Sequence, residues 1–573
     1  LDAVDAGAVV PRFREHGYSG PSAAGGSEPV PILETTHSAG RGERFVVGVL
    51  WNWLGVGAGL FTGLLLSPYL IRKLGPEAYG LWALSFAMVE YCVFLDLGFR
   101  SATVKYVAHY WATDEPVRIN EVINTVLVYS GVISSLLFGA IFAGSAYLDR
   151  FFQISASYTH SFRILVILIS LSWCLGFVFN NFAASLEAVQ RYDLSTKPAI
   201  ITTILRASGT AVLLYQGYGL VEIGILVVLS QTVGYALYFR GFRRIFPELR
   251  ISTRYAGLGT LRKMASFGIH TFVANISNLI LNQSCPLLIG HFRPAAFVGY
   301  YTLPMRLLLY TGDAVGRAGV ITNANAAELQ ARGDTKVLPE LAVYTNRYCV
   351  TLFMPLAILF WTYGDRILQL WVPSMAPYSA PLLPVLLSGY MLGVIGQHSS
   401  GMLLQGLGRH QLYARGLAVE AILSLGALVL VIPRYGILGA AWVTCISMIL
   451  NRGLFAPWLV SLEMGFSFLP FLRSIYAWPF ACAVPPMALA FALRMSALPG
   501  GSWRQIAVLI VLIASSYYGL ALFLCLPRAH RLCGPGSDAG FCTGIRRRRR
   551  SGTAGRIRGG AGPCGTLEKL HAG

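Results

Sequence analysis

Long apolar segments, each close to the thickness of a bilayer, follow one another from about Phe45 to Leu526 with only short polar breaks between them. A membrane-spanning helix needs about 20 predominantly apolar residues. By that measure the pattern predicts spans at 45–71, 79–99, 119–147, 162–186, 198–215 and 220–242, and a second set at 267–289, 298–321, 341–363, 378–404, 412–432, 438–462, 475–493 and 506–526. The expectation is an all-α polytopic membrane protein of about fourteen transmembrane helices. The flanking stretches 1–44 and 527–573 have no apolar period and read as disordered tails, the second one basic through its run Arg546–Arg547–Arg548–Arg549–Arg550.

Composition agrees with the pattern. Hydrophobic residues make up 55% of the 573 and charged residues 12%, which leaves too little charge for a soluble surface and ample apolar area for lipid. The net charge of +19 would suggest a nucleic-acid partner in a soluble protein, but here its placement reads as topology. Arg100, Lys105, Arg118, Arg191, Lys197, Arg240, Arg243, Arg244, Arg262, Lys263 and Arg409 fall in the breaks that lie on one side if the spans alternate; Arg150, Arg293, Arg366, Arg434 and Arg504 fall on the other, joined by Arg72 and Lys73, which run against the bias. The positive-inside rule then places both termini in the cytoplasm. The cysteines are scattered singly, with no C-x-x-C pair, so neither a zinc site nor a disulfide framework is expected, and no cofactor. There is no Gly-Lys dipeptide and hence no P-loop.

The two sets of spans carry matching landmarks. Leu74-Gly75-Pro76-Glu77-Ala78-Tyr79-Gly80 follows the first span, and Phe292-Arg293-Pro294-Ala295-Ala296-Phe297-Val298-Gly299 follows the seventh, with Pro, aromatic and Gly in the same order and one residue inserted. Asp96 and Arg100 near the end of the second span have a counterpart in Asp313 and Arg317 of the eighth. An even number of helices per copy gives both copies one orientation, so the expected organisation is a parallel repeat about an axis along the membrane normal. The expected parts are a tail (1–44), a six-helix lobe (45–242), a cytoplasmic linker (243–265), a second six-helix lobe (266–462), two further spans (463–526) and a basic tail (527–573).

The stretch from Leu70 through Pro76-Glu77-Ala78-Tyr79-Gly80-Leu81-Trp82, with Leu95-Asp96-Leu97-Gly98-Phe99 and Lys105-Tyr106-Val107-Ala108, resembles the opening of the polysaccharide biosynthesis and export proteins. These are O-antigen-type oligosaccharide-lipid flippases, related to multidrug-and-toxin extruders and to the lipid II flippase. The second-half stretch from Ile289 to Leu303 fits the same family, and the likeness extends from about Arg44 to Leu526. The resemblance implies two lobes around a central cavity and alternating access that carries a lipid-linked sugar across the bacterial inner membrane. It also implies membrane lipids and the glycosyltransferases or polymerase of one pathway as partners. An ion-coupled exporter of drugs or metabolites with the same fold is the alternative, kept open by Glu90, Asp96 and Glu420. A multi-span glycosyltransferase or polymerase is a further class, but the chain has no D-x-D and no long outside loop, so the expectation is a transporter and not an enzyme.

Polar groups inside spans are costly and tend to face a cavity or a partner helix. Arg206, Arg306 and Arg452 are therefore candidate contacts for an anionic head group, since guanidinium keeps its charge and presents a planar fork of donors; interhelical pairing and snorkelling are the competing roles. Asn275, Asn278 and Asn282 form a stripe on the seventh span suited to sugar hydroxyls or to helix–helix bonding, with His270 near its start. Asp96 with Arg100 and Asp313 with Arg317 have the i,i+4 spacing of one helix face and are candidate gate residues, with static intrahelical pairing as the simpler role. Gly55, Gly59 and Gly63, every fourth residue, are expected to admit close helix packing.

Overall fold

A computed structural model describes residues 38–96, 98–333, 337–496 and 499–524. It is all-helical, with no strand among the described residues. Both expected tails fall mostly outside that range, except that helix already begins at Ser38, within the stretch expected to be disordered. The major helices in chain order are α1 (Ser38–Glu90), α2 (Phe99–Ala112), α3 (Pro116–Gly144), α4 (Thr159–Ala188), α5 (Tyr192–Tyr215) and α6 (Leu220–Ile245). They continue as α7 (Leu258–Phe292), α8 (Ala296–Ala331), α9 (Leu338–Trp371), α10 (Leu382–Ile395), α11 (His410–Ser447), α12 (Ala456–Met464), α13 (Phe468–Met495) and α14 (Trp503–Leu524). Residues from Gly48 onward form one compact unit.

Among the described residues, eight helices are long and apolar enough to cross a membrane, one of them the 54-residue run Gln411–Met464. The difference from the expected count has local causes. α1 is two helices joined at Gly75 (φ 86°, ψ 170°), a conformation glycine adopts at little cost, and Pro76 then starts the second piece where its missing N–H is not needed. Gly436 (φ 61°, ψ −148°) breaks α11 in the same manner. Helices α7 and α8 are long enough to span but carry more polar side chains, Asn275, Asn278, Asn282, Gln283 and Arg306 among them.

Helices α2 to α6 pack chiefly on one another, and α1 joins them, the Tyr69 hydroxyl donating to the Ala211 carbonyl; those from α7 onward form the second group, with α7 also touching α2 and α3. The two groups are joined most closely at one end. A Cβ on Gly80 would lie 1.9 Å from the carbonyl oxygen of Ala295, and one on Gly299 would lie 3.0 Å from the Tyr79 ring, so the two landmark segments are packed backbone to backbone. One large apolar cluster runs through this end and includes Tyr79, Leu84, Phe152, Ile289, Tyr301 and Trp371. At the opposite end a separate cluster, built on Phe99, Val107, Ile123, Phe182 and Phe242, contains only first-group residues and the beginning of α7. The groups are thus fused at the Gly80 end and have distinct cores at the Arg100 end.

The glycine stripe on α1 divides by position. Gly55 faces Thr196 Cγ2, which a Cβ would meet at 3.3 Å, and Gly63 seats the Tyr310 ring of α8, whereas Gly59 faces open space.

Candidate functional site

Two polar clusters lie inside the apolar body, with α7 between them. The first sits on the seam between the two groups of helices. Gln283 donates its amide to Glu90, and Tyr91 Oη lies 2.5 Å from Ser284 Oγ, so two consecutive residues of each chain segment bond across the seam. Arg306, half-buried on α8, bonds Tyr310 and lies near enough to Tyr79 and to the Glu90 carboxylate of the other group to interact with them electrostatically, without an ion pair. A cation and a carboxylate contributed by different groups therefore share one interior layer, with tyrosine hydroxyls around them.

The second cluster is confined to α10–α12 and the irregular turns between them. Glu420 and Arg452 face each other at 3.5 Å with side chains 2% and 5% exposed. Charge-assisted hydrogen bonds run shorter, about 2.7–2.9 Å, and the facing atoms, Glu420 Oε1 and Arg452 Nε, make no hydrogen bond. The rest of each side chain is well held: Asn451 donates to Glu420 Oε2 at 2.7 Å, and Arg452 Nη1 donates to Gln397 Oε1 at 2.5 Å. Both Gln397 and Arg452 lie on π-helical turns, Gly396–Ser400 and Met448–Phe455. Such turns are uncommon and are often found at functional sites. They pack closely, since a Cβ on Gly396 would lie 1.8 Å from the Arg452 carbonyl oxygen. A cavity of about 50 Å³ opens between the clusters, lined by Asn282 and Ser284 of α7, Met305 of α8, and Gln397, Glu420 and Arg452.

The candidates from the sequence separate on this map. Arg306 and Arg452 reach the interior, each beside a carboxylate, and Asn282 joins them at the small cavity. Asn278 is half-buried and bonded, and Asn275 is exposed one turn further along α7. Arg206 is half-buried on α5 and has no ion-pair partner among the described residues; it belongs to neither cluster. The side chains of His270, Asp313 and Arg317 lie outside the described residues.

Asp96 and Arg100 do not share a helix face. The chain turns through Gly98 in the left-handed region (φ 78°) between them, so Asp96 ends a 3₁₀ turn and Arg100 lies in the first turn of α2. The Asp96 carboxylate instead accepts the backbone N–H of Arg100, and Arg100 Nη2 donates to both carboxylate oxygens of Glu187 of α4, at 2.7 and 2.9 Å. Glu187, Glu90, Gln283 and Gln397 complete the polar map. Of these only Glu90 was singled out from the sequence, for the exporter alternative; Gln283 and Gln397 interrupt apolar runs and carried that signal, while Glu187, at the end of a span, gave no signal of its partner.

Comparison with known proteins adds likenesses of sequence and of fold. The family model described as polysaccharide biosynthesis protein matches residues 45–311. The "Putative O-antigen transporter" of Shigella flexneri is 23% identical over 427 residues, covering 72% of this chain and 96% of that protein. The "Probable flippase AglR" of Haloferax volcanii is 22% identical over 408 residues, covering 68% and 78%. Among solved structures, the lipid II flippase MurJ in an inward closed conformation superposes with a TM-score of 0.64 at 11% identity, over 83% of this chain and 98% of that one. An inward-facing multidrug resistance MATE family transporter of the MOP superfamily superposes with a TM-score of 0.61 at 13% identity, over 72% and 95%. At these identities the superpositions establish a common fold.

Proposed function

We propose that this multi-pass membrane protein, whose residues 45–311 match the family model described as polysaccharide biosynthesis protein, is a flippase that moves a lipid-linked oligosaccharide or polysaccharide precursor across the bacterial inner membrane. The relatives named as O-antigen transporter and flippase support the substrate class. The observation that carries the mechanism is Arg306, a permanent cation at the seam between the two groups of helices, facing a carboxylate of the opposite group. A sugar joined to lipid through diphosphate presents a compact anion that competes with Glu90 for that guanidinium. Taking Arg306 from Glu90 removes an electrostatic tie across the seam, so binding and opening are coupled through one residue.

Arg452, with its loosely facing Glu420, is the second cation of the path, and Asn282 at the small cavity is placed for sugar hydroxyls. Arg206, Asn275 and Asn278 line the approach in this reading. The separate apolar core at the Arg100 end corresponds to the open end of the path, which the positive-inside bias assigns to the cytoplasm, together with both termini. On closure of that end, Arg100 exchanges Glu187 for Asp313, and Arg317 meets Asp96, so the two D-x-x-x-R segments form the gate between the lobes at 45–242 and 266–462. Enzymes that assemble the same glycan are the expected neighbours in the membrane.

The test is transport of a fluorescent sugar diphosphate lipid in proteoliposomes. Loss of a charge-assisted contact of about 1.5–3 kcal/mol lowers the rate with Arg306→Ala by about 10- to 100-fold, while Arg306→Lys, which keeps the charge, retains more. Equal rates for Arg306→Ala and the unaltered protein would remove Arg306 from the mechanism. Faster transport of an organic cation than of the lipid anion would favour the exporter reading.

A further inference from the structure

Arg72 and Lys73 stand on the side that the positive-inside bias leaves poor in cations, and the polar clusters described above make no use of them. Lys73 lines a cavity of about 340 Å³ at the Gly80 end of the first group of helices. The chain makes room for it at two breaks. Gly75 (φ 86°) ends the first piece of α1, and Gly217 (φ 87°) turns the chain from α5 toward α6; a Cβ on either would meet nothing within 4 Å. One turn before Lys73 and Tyr215, the Tyr69 hydroxyl donates to the Ala211 carbonyl at 3.4 Å and fixes α1 against α5 at the base of the cavity.

Tyrosines from separate segments line it: Tyr158 just before α4, Tyr215 at the end of α5 and Tyr218 in the turn that follows. Tyr215 is 80% exposed and Tyr218 48%, so their rings are open to an incoming molecule, and Ser161 joins them. Lys73 is exposed and forms no ion pair among the described residues, and no carboxylate lines the cavity. The acids close to it in sequence are engaged: Ser155 donates to Glu77, and the Gly219 N–H donates to Glu222. Tyrosines at a membrane surface commonly serve as anchors. An anchor, however, needs neither a concavity nor an unpaired ammonium within it.

We propose that this cavity binds an acidic sugar residue of the glycan at the outer face, a proposal that rests on the flippase reading above and on the orientation given with it. A pyranose ring presents C–H bonds on its faces and hydroxyls around its edge. It can therefore stack on tyrosine rings while its edge bonds the tyrosine and serine hydroxyls. The carboxylate of a uronic acid then meets Lys73, a compact point charge on a flexible stem that follows the acid in whatever pose the stacked ring takes. The volume lies at the lower end of the range for small-ligand sites, about 300–1,000 Å³. Ala78 lines the cavity, and Gly80 of the same turn packs against Ala295, so a sugar held here sits beside the joint that must part for the outer end to open. Holding the emerging glycan on one group of helices, away from the polar layer, favours the outward state and opposes the return of the cargo.

Binding of free glycan tests the site without transport. The full chain in nanodiscs of phosphatidylcholine, which adds no net charge, is titrated with fluorescently labelled hyaluronan tetrasaccharide, which contains glucuronate, and with labelled chitotetraose, which does not. Fluorescence polarisation reads the affinity. The acidic probe should bind about tenfold more tightly, the worth of a charge-assisted contact, and Lys73→Ala should erase that preference. Tyr215→Ala combined with Tyr218→Ala should weaken both probes by about tenfold through loss of the stacking surface. Ser161→Trp, which fills the cavity from its wall, should abolish binding of both; if that variant fails to fold, the exposed Lys73 and tyrosine variants decide alone. No binding of the acidic probe, or binding that Lys73→Ala and the double tyrosine variant leave unchanged, would overturn the proposal. Transport of a sugar diphosphate lipid by a protein that binds neither probe removes this site and leaves the flippase reading standing; binding without transport does the reverse.

Discussion

Glu420 and Arg452 show what one buried pair contributes. Both are nearly inaccessible, and each is anchored by an amide at one end while the facing atoms stand 3.5 Å apart. Removing one partner leaves a charge stranded in apolar surroundings, at a cost of about 3–5 kcal/mol, whereas replacing both with apolar residues of similar size is often close to neutral. Glu420→Ala should therefore lower the melting temperature in detergent markedly, and Glu420→Met combined with Arg452→Met should recover most of the loss, as read by tryptophan fluorescence on heating. A double variant as unstable as the single one would mean that the π-helical turns need the ions themselves. Arg452 was legible in the sequence as a charge inside an apolar run. Its pairing was not, because Glu420 lies 32 residues earlier (452 − 420), before the break at Gly436, and no periodicity links the two.

At the scale of elements, the apolar runs identified the helices because lipid imposes a length on them that no soluble core does. The joints were harder to read. Gly75-Pro76 and Gly436 break helices without a polar loop, and Gly98 turns the chain between Asp96 and Arg100, so a spacing that suits one helix face instead carries a backbone bond and a pair with Glu187. That correction sharpens the gate. Arg100 has a resting partner on its own side, which it must leave when the Arg100 end closes. Cysteines replacing Asp96 and Arg317 should cross-link only in the state closed at that end, and the cross-link should block transport. Substitution of Glu187 by Gln should raise its yield by freeing Arg100. Cross-linking that is absent, or indifferent to substrate and to Glu187→Gln, would reduce both segments to local structure.

Over the whole molecule, two groups of helices meet backbone to backbone at Gly80 and Ala295 and keep separate apolar cores at the Arg100 end. Between these ends lie the polar layer of Glu90, Gln283 and Arg306 and a cavity of about 540 Å³ lined in part by Tyr91 and Ser284. A close-packed joint at one end, a divided core at the other and a layer holding both a cation and a carboxylate between them are parts that alternating access can use. The landmark repeat pointed to the joint, since the matched Pro-aromatic-Gly segments are the ones in contact, but the cavity beside Tyr91 and Ser284 could not be read from sequence because its lining comes from segments far apart in the chain. The account turns on the cargo being an anionic lipid-linked sugar. Its most direct test is transport by the purified, unaltered chain in liposomes loaded with two fluorescent lipids bearing the same sugar, one joined through diphosphate and one through a neutral ether. The account predicts that the diphosphate lipid changes leaflet well above the rate in empty liposomes and the neutral one does not; equal rates for the two, or no rate above background for the diphosphate lipid, would contradict it.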